Sequence, residues 1–83
     1  MNEQESGHNL GDIRVAQFVH PDSIGVTVWE VEQLKEAKGK YAKNGDVYWD
    51  RITPGIEPFT STYAVNRFLE SAETGNPVTW IKR

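Results

Sequence analysis

From Lys38 to Asp50 the chain reads KGKYAKNGDVYWD, which sets Lys38, Lys40 and Lys43 among Tyr41, Tyr48 and Trp49. Ammonium groups beside aromatic rings suit a single-stranded nucleic acid, pairing with phosphates while the rings stack unpaired bases. Lys35 extends the set to Lys35, Lys38, Lys40, Lys43 and Tyr41. A plainer account fits the same residues. Lysines near a hairpin tip keep a sheet edge soluble and oppose edge-to-edge pairing, and Glu36, Asp46 and Asp50 dilute the positive charge. With a formal net charge of −3 over 83 residues, broad non-specific binding to nucleic acid or anionic membrane is disfavoured. Nucleic-acid binding is therefore kept as the alternative.

The other reactive side chains form no recognisable constellation. Asp46 and Asp50 share one side of an extended strand, but a general acid and base need a concave, partly dry pocket to separate their pKa values. His8 and His20 have no second ligand at a metal-binding spacing. Ser6, Ser23, Ser61 and Ser71 lack a nucleophile-elbow context, and no glycine loop is built to cradle phosphate. Cysteine is absent, which removes thiolate metal sites and disulfides. The expectation is a non-enzyme with no cofactor and no metal.

Most of these residues must be positioned by strands. Residues 1–12 are polar and read as a flexible N-terminal tail, and residues 13–83 as a single small domain. Ile13–Val19 and Gly25–Gln33 alternate with β-branched content and read as strands, joined by a turn at His20–Gly25. On the second strand Trp29 and Val31 share a face and are expected to be buried. Leu34–Lys40 is ambiguous between a helical turn and a strand end. Asn44-Gly45 suits a tight type I′ turn, so 41–43 and 46–52 are expected to pair, with Val47, Trp49 and Arg51 facing opposite to Tyr48, Asp50 and Ile52. Pro54, Gly55 and Pro58 break the sheet.

A helix follows over 61–74, capped by Thr60 or Ser61. Ala64, Val65, Phe68, Leu69 and Ala72 form one apolar stripe, and Gly75 is expected to terminate it. Val78–Arg83 reads as the last strand. One amphipathic helix must cover one sheet, which predicts an α+β fold: a two-layer antiparallel sheet of four or five strands with one face covered.

The uncovered face and the hairpin are the expected contact surface, with Tyr41, Lys43, Tyr48, Trp49 and Asp50 as partner-binding residues. Trp29 and Trp80 are expected in the core. Function reads as non-enzymatic: a small cytoplasmic protein that modulates or inhibits a larger protein partner by occlusion. In size and composition alone the chain resembles phage and mobile-element accessory proteins, among them inhibitors of host defence enzymes. No membrane partner is expected. Self-association through a free edge strand stays open as a homodimeric, structural alternative.

Overall fold

The computed structural model describes residues 9–40, 43, 45–73 and 75–83. Alternating β-branched residues build two strands, β1 (Ile13–Val19) and β2 (Thr27–Glu36), paired antiparallel with Val15 opposite Val31. β3 (Val47–Arg51) lies antiparallel on the far side of β2. After the helix α1 (Thr62–Ala72), β4 (Val78–Lys82) returns to the near side of β1. The sheet order is β3-β2-β1-β4. The fold is thus α+β, with one helix layered on a four-stranded sheet.

The sheet is mixed rather than wholly antiparallel, because β4 runs parallel to β1. The crossover explains it. Two antiparallel pairings give β3 the same direction as β1, and a helix carrying the chain back over the sheet starts the next strand in the direction of the last.

Val65 drops between Ile13, Val15 and Val31, with Trp29, Ile52, Phe59, Phe68 and Leu69 packed around them. Trp29 and Val31 therefore share the helix side, as their alternation predicts. Trp80, also expected in the core, is 46% exposed. It lies beside Val15 in register, but α1 sits over β2 and stops short of the β4 edge. Ser61 caps the helix, its Oγ accepting from the Ala64 N–H at 3.1 Å. The left-handed terminator is Glu73, at φ 48, whose N–H donates to the Leu69 and Glu70 carbonyls. This ends the helix ahead of Gly75.

The ambiguous segment at 34–36 is the end of β2, whose ladder with β3 closes at Glu36↔Val47. β3 therefore pairs with β2, while the expected partner at 41–43 includes residues 41 and 42, which lie outside the described residues. The Asp46 N–H donates to the Lys43 carbonyl at 3.1 Å and Gly45 has φ +92; residue 44 of the expected turn lies outside the described residues. Residues 9–12, read from sequence as tail, are tied to the sheet. The Gly11 N–H donates to the Leu34 carbonyl and the Leu34 N–H to the Asp12 carbonyl, both at 2.9 Å.

Candidate interaction site

Strand alternation divides the nominated residues between two faces. Tyr48 and Asp50 lie on the helix side of β3, and Trp49 lies with Val47 and Arg51 on the open side. Asp50 Oδ2 accepts from Lys35 Nζ at 2.6 Å. That hydrogen bond raises the Lys35 pKa above its ordinary value, with partial burial opposing it. Lys35, Lys38 and Tyr48 line a cleft of about 670 Å³ together with Leu10, Leu34 and Ala37. Lys40 and Lys43 are exposed on the 37–46 connection, where the Lys43 backbone N–H donates to Asp46 Oδ2 at 2.9 Å. Tyr41 and His8 fall outside the described residues.

The open face is closed over by charge. Glu32 accepts from Arg14 Nε at 2.6 Å and from Arg83 at 2.8 and 3.0 Å, and Glu30 pairs with Arg51. The Arg14 guanidinium lies 4.2 Å from the centre of the Trp49 ring, a cation–π contact that leaves the indole half-covered. Ala16 and Val28 are buried on this face, opposite the side that α1 covers. An exposed aromatic platform is therefore not what the face presents. It presents an ion-pair lattice laid over its tryptophan.

A different surface stands out where β1 passes into β2 and β3 runs out. The outer edge of β2 needs partners beyond Arg51. Ile52 supplies one, its N–H donating to the Val31 carbonyl at 2.8 Å. Thr53 then replaces a backbone group with its side chain: Oγ1 accepts from the Val31 N–H at 2.8 Å and is buried. Phe59 resumes the ladder by exchanging two hydrogen bonds with Trp29, at 2.8 and 2.9 Å. Residues 54–58 bulge out between these two anchored feet. Arg51 gathers the bulge, donating to the carbonyls of Thr53 at 3.2 Å, Gly55 at 2.7 Å and Glu57 at 3.3 Å.

At the tip of this clamped loop Ile56 is 90% exposed. Beside it lies the 20–26 turn, closed by donation from the His20 N–H to the Val26 carbonyl at 2.8 Å and from the Val26 N–H to the Ser23 carbonyl at 3.0 Å. Its tip residue, Ile24, is 98% exposed. His20 joins the two loops. Its Nδ1 accepts from the Asp22 N–H at 3.0 Å and its Nε2 lies 3.8 Å from Glu57 Oε1. A cleft of about 270 Å³ between the loops is lined by Phe18, His20, Pro21, Glu30, Ile56 and Pro58, among others.

Two aliphatic tips stand here in a frame of His20, Asp22 and Glu57, with Val19 and Val26 exposed nearby. Reading by composition passes over Ile24 and Ile56, because single aliphatics inside turn segments carry no periodic signal. The cue present in the sequence is an isoleucine enclosed by Pro54-Gly55 and Glu57-Pro58, where it has no strand or helix to bury it. Compared with protein-family models, curated proteins and solved structures, the chain matches none, so its function is argued from this geometry alone.

Proposed function

We propose that the protein is a non-enzymatic binding domain that docks on a larger protein through the Ile24 and Ile56 loops and acts by occlusion. The observation that carries this is the near-total exposure of two isoleucines on adjacent loops that are each held by their own hydrogen bonds. An isoleucine left in water forgoes about 1.5–3 kcal/mol of burial, and a loop already ordered loses less entropy on binding. An apolar centre with a polar rim is the common anatomy of such surfaces. His20, Asp22 and Glu57 would form that rim, which suits a partner whose apolar pocket is flanked by donors or basic groups. This moves the contact away from Tyr48, Trp49 and Asp50, whose charges and rings are engaged within the chain or lie on opposite faces. The small, mildly acidic, cysteine-free chain suits a cytoplasmic setting and an accessory role, such as inhibition of a host defence enzyme by a phage protein.

A second reading rests on Lys35, Lys38 and Tyr48 lining one cleft, with Lys40 and Lys43 nearby: single-stranded nucleic-acid binding. It is the weaker one, since the Lys35 charge is committed to Asp50. One experiment separates the two. Tryptophan fluorescence is followed while single-stranded DNA or RNA is added at low salt, and capture of a protein from source-cell lysate is compared for wild type and the Ile24→Asp/Ile56→Asp variant. The binding-domain reading expects no salt-dependent quenching and loss of the captured protein in the variant. Quenching that weakens steeply with salt, or capture unaffected by the double substitution, would overturn it.

A further inference from the structure

We infer that the protein forms a two-fold dimer by pairing β4 antiparallel with β4 of a second copy, in a register centred on Trp80. The hydrogen-bond phase of β4 leads there. Ile13 N–H donates to the Pro77 carbonyl and Arg83 N–H to the Gln17 carbonyl, both at 2.9 Å. In a parallel ladder the residues that bond one neighbour alternate with those facing the other way. Pro77, Thr79, Ile81 and Arg83 therefore address β1, and Val78, Trp80 and Lys82 turn their N–H and C=O groups outward. Among the described residues nothing pairs with that outer edge. It carries few of the usual guards against pairing: no proline, no bulge, and Lys82 as its charge. β3, at the opposite edge, is shielded differently, since the Arg51 clamp and the 54–58 loop stand at its end.

Self-pairing is favoured because the edge is complementary to itself in one register. Centring the axis on Trp80 makes Trp80 face its own copy and Val78 face Lys82 of the second copy. All three outward residues then exchange hydrogen bonds. An axis through Thr79 or Ile81 strands one of them. In the Trp80-centred register no like charges meet, and the two Lys82 ammonium groups sit about 13 Å apart along the strands. Val78 and Trp80, 37% and 46% exposed on the helix side, would cover each other in the gap that α1 leaves over the edge. Aromatic cross-strand pairs add to such a ladder. The axis stands perpendicular to the sheet, so the second copy runs in the opposite direction and the Ile24 and Ile56 loops come to opposite ends of an eight-stranded sheet. The inference stands apart from what those loops bind.

The test is sedimentation equilibrium of the full chain with charge-swapped variants. Val78→Lys sets an ammonium group directly opposite Lys82 of the second copy; Val78→Lys/Lys82→Glu turns both contacts into ion pairs. Both positions are exposed, and circular dichroism checks that each variant is folded. Wild type is expected at twice the 9.4 kDa chain mass, Val78→Lys at least tenfold weaker in self-association, and the double variant restored to within a few-fold of wild type. A monomer at about 1 mM would overturn the inference. So would a dimer indifferent to Val78→Lys, or one that the second substitution does not rescue.

Discussion

Single side chains do unusual backbone work in this chain, and Thr53 is the clearest instance. Its hydroxyl completes a buried edge where β3 has ended, bonding both the N–H and, at 3.4 Å, the carbonyl of Val31. Thr53→Val keeps the shape and removes the partner, leaving a buried donor unpaired. It should cost about 1–3 kcal/mol, read as a lower urea midpoint with unchanged slope. Glu32 is the corresponding centre on the open face, holding two arginines while its side chain is 12% exposed. Glu32→Ala should cost about 1–2 kcal/mol, and should also free the Arg14 guanidinium to leave Trp49, visible as a change in tryptophan emission. Lys35 supplies a pH signature. Its pKa is raised in the fold from an ordinary 10.5 by the hydrogen bond to Asp50, so its contribution is complete below 10.5 and lost as pH rises through the higher folded value. Wild type should therefore lose more stability across that window than Lys35→Gln, compared by urea midpoints.

Among the elements, the loop clamp and the helix make separable predictions. Arg51 holds three carbonyls of the 53–58 segment, so Arg51→Met should open the loop to proteolysis between Pro54 and Pro58 while the sheet core stays protected. Partner capture should weaken although Ile56 is intact. Val65 is the fully buried residue of α1, and Val65→Ala should cost about 2 kcal/mol through lost burial and a residual cavity. Both sets of elements differ in how far they could be read from sequence. β1, β2, α1 and β4 announce themselves because their alternation or 3.6-residue stripe is strong and their caps are explicit. The partner of β3 does not, since Asn44-Gly45 is a turn signal that says nothing of how far the flanking segments stay extended. The exposure of Trp80 is likewise invisible, because it depends on where α1 lies across the sheet.

For the whole molecule, an α+β fold follows from counting amphipathic elements, whereas the parallel entry of β4 follows only from the crossover. The candidate site was the least legible part. Composition directs attention to the lysines and rings of 38–50, and the fold then distributes them over two faces and spends Trp49 and Lys35 on internal contacts. The most exposed apolar side chains are the loop tips Ile24 and Ile56 at one end, and at one side the outer edge of β4 has no partner among the described residues. The measurement that tests the central claim most directly is site-specific photo-crosslinking. A photoreactive residue is placed at 24, at 56, and at exposed Glu70 on the helix as a control, and adducts are identified in source-cell lysate. Positions 24 and 56 are predicted to trap the same protein, with none trapped from position 70. Adducts of equal yield from all three positions, or none from the loop tips, would contradict the account.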